Sequence, residues 1–269
     1  MRNIGLSLSI AIFVVACSNG DDARASGSTS EGMQAKTDIS PVDRKPFEST
    51  EIASFDEPWA MTFLPDGRML VSEKAGKLQL VDAKGKKTEV SGVPEVDYGG
   101  QGGFGDVVLS PDFATSNMVY LSWVEAGDKD TRGAVVGRAK LDLDGEKPAL
   151  KNLETIWTQK PKVTGRGHFS HRIAFSPDGE YLFIGSGERQ KFDPAQDMSA
   201  NLGKIVRLYP DGTVPKDNPF VDREGALPEI WSLGHRNILG IAFDSEGRLW
   251  NQEMGPKAGD ELNLVQRGA

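Results

Sequence analysis

The residues best suited to proton chemistry are three histidines. Two fall in Gly167-His168-Phe169-Ser170-His171-Arg172, a polar, glycine-flanked stretch that runs into the apolar segment Ile173-Ala174-Phe175. The third is in Gly234-His235-Arg236-Asn237. An imidazole titrates near neutrality, so one placed at the mouth of a strand is a natural general base. A zinc site made from all three is the less economical reading. Strand positions three apart face opposite sides, and neither a cysteine nor an evident carboxylate completes the set. His171 reads as packing or rim and Arg172 as an ion partner. Two further polar clusters are Gly99-Gly100-Gln101-Gly102-Gly103 and the stretch Glu253 to Glu261. Asp193 with Asp197, and Asp217 with Asn218, have the chemistry to bind calcium but read first as turn caps.

These clusters sit at fixed places in a repeat. From Ile52 an apolar strand, a turn of the Pro-Asp-Gly type, a second strand and a third recur four times. The residues just before each turn are Phe63, Leu109, Phe175 and Phe243, at intervals of roughly 45 to 70 residues, as in propeller blades that carry insertions. The pattern predicts an all-β chain: a β-propeller of four-stranded antiparallel blades, about four of them here. A Greek-key sandwich would not repeat one turn before one strand four times. Gln101, His168 and His235 each lie just before an innermost strand, so their loops converge at one end of the channel. The insertions 185–203 and 210–235 are where a site would be built. The five tryptophans are expected in the core.

Thirty-one basic residues against 39 acidic give a net charge of −8, which argues against a nucleic-acid partner. Thirty-one glycines and 15 prolines favour tight turns and short strands. Arg2 followed by an apolar run to Ala16 reads as a secretory signal too short to span a bilayer. Val14-Val15-Ala16-Cys17 resembles a lipobox, and Cys17 is the single cysteine. The expected layout is a lipoprotein signal over 1–17, a flexible tether over 18–50 and the propeller over 51–269. Its expected location is the periplasm, lipid-anchored through Cys17 to the outer membrane. An ordinary cleaved signal is the alternative. The last residues fall inside the fourth copy, so the propeller is expected to be incomplete on its C-terminal side.

The ordered set Gly-Gln-Gly-Gly at 100–103, His168-Phe169 with Arg172-Ile173-Ala174-Phe175, Ala195-Gln196-Asp197, Leu202-Gly203-Lys204-Ile205, Asp217-Asn218-Pro219-Phe220, Gly234-His235-Arg236-Asn237 and Gly255-Pro256 with Gly259-Asp260-Glu261-Leu262-Asn263 resembles the soluble aldose sugar dehydrogenases. These are six-bladed propellers of the glucose/sorbosone dehydrogenase type that use pyrroloquinoline quinone and calcium. The resemblance runs from about Pro58 to Val265. It implies that His168 removes the proton from the anomeric hydroxyl as hydride leaves the same carbon for the quinone. It also implies that Arg236 polarises the quinone carbonyl, that Asn237 and Gln101 hold the cofactor, that the Gly255 and Pro256 carbonyls hold calcium, and that Glu261 ligates a second, structural calcium. An acidic residue at a strand start is otherwise merely solvated. Met254 stands where several relatives have histidine, and Ser186-Gly187-Glu188-Arg189 replaces a more usual aspartate-bearing loop. Both bear on substrate preference. The basic residues with which the family's later blades hold the cofactor's carboxylates have no counterpart here, which implies weak or absent cofactor binding.

The resulting expectation is a quinoprotein oxidoreductase that converts aldose sugars to lactones. The alternatives are a non-catalytic binding propeller and a calcium-dependent lactonase-type propeller. The expected partner is the sugar, with no nucleic acid and a membrane only through Cys17. The electron acceptor is not indicated, and a homodimer stays open.

Overall fold

Each repeat begins with an apolar strand whose end is set by its turn. In Leu64-Pro65-Asp66-Gly67 the Asp66 carboxylate accepts the Arg68 N–H at 3.0 Å, and Gly67 adopts a φ of 85° that a side chain would resist. Asp178 and Asp244 repeat the device, accepting the N–H groups of Glu180 and Glu246. The second copy lacks the glycine. There Asp112 opens a single helical turn, Phe113–Ser116, and Asn117 takes the left-handed position at φ 53°.

The computed structural model describes residues 47–269, so Cys17 and nearly all of the expected signal and tether lie outside the described residues. Four antiparallel sheets follow in chain order. The first is β1 (Pro58–Phe63), β2 (Met69–Glu73), β3 (Lys77–Val81) and β4 (Lys87–Glu89). The second is β5 (Phe104–Leu109), β6 (Met118–Ala126), β7 (Arg132–Asp142) and β8 (Ala149–Thr158). The third is β9 (Ser170–Phe175), β10 (Leu182–Ser186), β11 (Lys204–Leu208) and β12 (Ile230–Leu233). The last, β13 (Ile238–Phe243), β14 (Leu249–Glu253) and β15 (Glu261–Leu264), has three strands among the described residues. The expected propeller architecture is present, with four-stranded blades in three of the four sheets.

Apolar residues of neighbouring blades pack face to face. Leu70, Leu78, Phe104, Leu121 and Val135 share one cluster between the first two blades. Tyr120, Val136, Ile173, Ile184 and Val206 share the next, and Phe183, Ile205, Ile238 and Leu249 the third. Each such aliphatic side chain contributes about 1.5–3 kcal/mol by leaving water. The tryptophan expectation is corrected in part. Trp123 and Trp157 are buried, but Trp59, Trp231 and Trp250 are half-buried. Arg172 lies over Trp59 at 4.0 Å and Arg207 over Trp231 at 4.5 Å, so these rings carry guanidinium groups on their faces.

The innermost strands β1, β5, β9 and β13 stand side by side in sequence order. Among the described residues their inward edges have no ladder partner, and side chains of the neighbouring blade supply one. Ile173 N–H donates to Asp106 Oδ2 at 2.9 Å, and Ile238 N–H to Ser170 Oγ at 2.7 Å. Ser72 Oγ donates to the Gly105 carbonyl at 2.6 Å. Buried backbone groups are thereby satisfied across every blade boundary.

Candidate active site

His168 stands between β8 and β9 in a loop of unusual backbone. His168, Ser170 and His171 have φ values of 50°, 60° and 55°, a region that costs a non-glycine residue about 1 kcal/mol or more. The facing loop after β10 repeats the strain at Arg189, Gln190 and Phe192, with φ of 62°, 58° and 61°. The two loops meet backbone to backbone. Gly187 N–H donates to the Phe169 carbonyl at 3.1 Å and Arg189 N–H to that of His168 at 3.2 Å. A Cβ on Gly187 would run into the His168 carbonyl and lie 2.9 Å from Ser170 Oγ.

His168 is held at two points. Its backbone N–H donates to Gln101 Oε1 at 2.6 Å, and its Nδ1 is paired with Glu188 Oε1. His168 is 4% exposed and Glu188 2%. Burial favours the neutral acid, but hydrogen bonds from Phe192 N–H, from His168 and from Lys191 N–H outweigh it and hold the Glu188 carboxyl below its ordinary range. An ionised carboxylate on Nδ1 fixes the ring hydrogen there, so Nε2 is the basic nitrogen of the neutral ring.

Gln101 is set by its glycines. Its own N–H donates to the Arg166 carbonyl at 2.8 Å, and a Cβ on Gly100 would meet that carbonyl at 2.6 Å. Arg236 and Asn237 come from the loop before β13. Arg236 N–H donates to Glu253 Oε2 at 2.6 Å, and its carbonyl accepts the Glu188 N–H at 2.9 Å. Its guanidinium donates to the Met254 carbonyl. Asn237 Oδ1 accepts the Ser170 hydroxyl at 3.3 Å. His235 is occupied on both ring nitrogens, by Glu253 at 2.6 Å and Ser232 at 2.7 Å, and serves to hold this loop. His168, Gln101, Arg236 and Asn237 are thus brought together, linked by direct or one-residue hydrogen-bond paths. A cavity of about 270 Å³ is lined by Gln101 and Asn237 together with Trp59, Lys74, Phe169 and Met254 among others, while His168 and Arg236 are not in its lining.

The expected metal residues fare differently. Glu261 is exposed at the start of β15, where its Oε2 accepts Asn263 Nδ2 at 3.1 Å. The Pro256 carbonyl accepts the Gly259 N–H at 3.1 Å in an exposed turn that also contains Gly255. Among the described residues no three His, Cys, Asp or Glu side chains converge on one point. The turn readings hold for Asp197, which accepts Ser199 N–H at 2.8 Å. Asn218 does more, donating to the carbonyls of Arg207 and Pro228.

Three residues of the site were assigned no role of their own from the sequence: Glu188 and Arg189, read only as part of a departing loop, and Lys74. Glu188 had a signal. An acidic residue stands within two residues of the end of the second strand in every copy, as Glu73, Glu125, Glu188 and Glu253.

His171 is packing, as expected. It stacks on Trp59 at 4.9 Å and 11°, with Nδ1 2.7 Å from Ser122 Oγ. Burial, with the Arg172 and Arg189 charges adding to it, pushes its pKa from 6.5 down to about 3. Between those values the unfolded chain binds a proton that the native state refuses, so stability falls as pH drops from 6.5 toward 3. The slope from this one group is about 1.4 kcal/mol per pH unit. Denaturant unfolding of His171→Gln over that range is expected to show a shallower loss than the parent chain; equal slopes would refute the assignment.

A family model described as glucose/sorbosone dehydrogenase matches residues 55–269. Aldose sugar dehydrogenase YliI of Escherichia coli is 44% identical over 216 residues, which are 79% of this chain and 57% of that protein. Quinoprotein glucose dehydrogenase B of Acinetobacter calcoaceticus is 30% identical over 245 residues, 81% of this chain and 50% of that protein. Among solved structures, the PQQ-bound aldose sugar dehydrogenase of Streptomyces coelicolor is 36% identical with a TM-score of 0.73, covering 81% of this chain and 63% of that one. The chain spans a little over half the length of the first curated relatives it matches.

Proposed function

The chain belongs to the glucose/sorbosone dehydrogenase family, and from that premise we propose that it is a quinone-dependent sugar dehydrogenase that oxidises the anomeric carbon of aldoses to lactones. The observation that carries the reading is the buried His168–Glu188 pair beside the loops of Gln101 and of Arg236-Asn237. The residues present suit a flat, anionic, acceptor-rich cofactor. The cavity lining offers apolar edges of Trp59 and Phe169, the amides of Gln101 and Asn237, and the Lys74 ammonium, with the Arg236 guanidinium on the adjoining loop. Pyrroloquinoline quinone, when bound, supplies the site with a two-electron acceptor.

The chain's own residues do the rest. His168 Nε2 takes the proton of the anomeric hydroxyl, and Glu188 holds the ring in the tautomer that leaves Nε2 unprotonated. The resulting imidazolium is stabilised by the carboxylate already on Nδ1. Arg236, fixed through both of its backbone groups, presents a positive charge where oxygen becomes negative. Gln101 ties its loop to the His168 backbone, so the hydrogen-bonding amide and the base keep one spacing. Calcium belongs to the same proposal in a limited way. The Gly255 and Pro256 carbonyls would supply two of the six to eight oxygens it takes, and bound there it would add positive charge beside the cofactor. The lactonase-type alternative calls for several convergent carboxylates, which the described residues do not form. Export and a Cys17 lipid anchor are proposed with this reading.

Dye reduction by the purified chain over a panel of aldoses, with quinone and calcium supplied or withheld, tests it. Turnover that requires added quinone is expected, and none with folded protein would sink the reading. Within that assay Glu188→Gln keeps the shape but loses the charge that stabilises the imidazolium. It is expected to lower kcat about 100-fold with sugar KM little changed. An unaltered kcat would remove Glu188 from the mechanism.

A further inference from the structure

Arg189 is buried at 1% exposure, yet among the described residues its guanidinium makes no ion pair. It donates instead to three carbonyl oxygens: Nε to Gly167 at 2.9 Å, one terminal nitrogen to Gly165 at 2.6 Å, and the other to Arg132 at 2.6 Å. Its plane lies 3.6 Å from the Phe169 ring centroid, and its own backbone N–H takes the His168 carbonyl. Burying an uncompensated cation is expensive, and an apolar side chain of the same volume would fill the space at less cost. What only a planar fork can do is grip several carbonyls of one strained loop at fixed angles.

That loop is the one that carries His168. The Gly165 carbonyl is held by Arg189 and, at 3.3 Å, by Arg132; that of Arg166 by Gln101 N–H; those of Gly167 and His168 by Arg189. The His168 N–H goes to Gln101. Every carbonyl from 165 to 168 has a partner, and Arg189 serves three of the four. We propose that Arg189 is a positioning residue for the base: it clamps the Gly165–His168 loop, which has positive φ at both ends, so that His168 Nδ1 stays on Glu188. Its relevance to turnover rests on the dehydrogenase reading, but the clamp itself does not.

With only three histidines in the chain, ¹⁵N-histidine labelling of the full protein resolves the rings, and a His168→Gln spectrum assigns the signal. Arg189→Lys keeps the charge and loses the fork. The His168 resonances are expected to shift or broaden toward a mixture of tautomers while those of His235, held by Glu253 on another loop, stay in place. In the dye assay kcat is expected to drop about 10- to 100-fold with sugar KM unchanged. If Arg189→Lys does not accumulate folded, Arg189→Met is read in the same way. Superimposable His168 signals in either folded variant overturn the clamp, as does failure of both to fold, which would make Arg189 a folding residue alone. A parent chain that reduces no dye refutes the dehydrogenase reading and leaves the NMR result to decide Arg189.

Discussion

Replacing His168 by glutamine is expected to lower sugar-dependent dye reduction about 10²- to 10⁴-fold, the range supplied by a positioned general base. Glutamine is the sharper choice than alanine. Its amide N–H can still donate to Glu188, so the buried carboxylate keeps a partner, whereas His168→Ala would strand it and add the desolvation cost of an unpaired charge. The glutamine variant therefore separates loss of base from loss of fold. Thermal unfolding close to that of the parent chain, together with the collapse in rate, supports the assignment. A rate within a factor of a few of the parent would transfer the base role elsewhere. Neither remaining imidazole is well suited to it, since His171 is stacked on Trp59 with Nδ1 at Ser122 and both nitrogens of His235 are in use.

Gly187→Ala is expected to be a strongly damaging one-carbon change beside His168. The new methyl group would overlap the His168 carbonyl and crowd Ser170 Oγ, so one of two already strained loops must move. Overpacking of this kind costs about 1–3 kcal/mol, and the displaced atoms are backbone, which yields least. Gly67→Ala provides the comparison. That glycine has φ 85° but nothing within 4 Å of a Cβ, so only the turn strain of about 1 kcal/mol applies. Urea unfolding of both variants should give the larger loss for Gly187→Ala, accompanied by loss of dye reduction in that variant alone. Equal losses would mean that the loops are not in the close contact described.

The blade pattern was legible because it is local. Pro-Asp-Gly and its variants set turns through their own side chains, and alternating apolar residues set strands. The convergence of Gln101, His168 and Arg236-Asn237 was legible because they occupy one place in a repeat. Glu188 was visible but read as a departure from a family loop, because the recurrence of an acid at the end of each second strand became meaningful only once that end lay against the histidine of its own blade. Arg189 was beyond reach for another reason. Its three acceptors are carbonyls, and a carbonyl carries no residue type. Lys74 reaches the cavity from the first blade, far in sequence from the rest. The turn expected to hold calcium shows the opposite limit: Gly255 and Pro256 are plain in the sequence, yet among the described residues no three His, Cys, Asp or Glu side chains converge to complete a site.

The bonds that cross from one innermost strand to the next have a bearing on how the protein comes apart. Asp106 reaches Ile173, Ser170 reaches Ile238, and Arg236 reaches Glu188, so each blade holds backbone groups of its neighbour. Repeat arrays coupled only through apolar faces can fray blade by blade, but here opening one blade orphans buried groups in the next. The coupling makes unfolding cooperative along the ring. The loops of the site draw their protection against transient opening from the whole array, although each one taken alone is short, strained and rich in glycine.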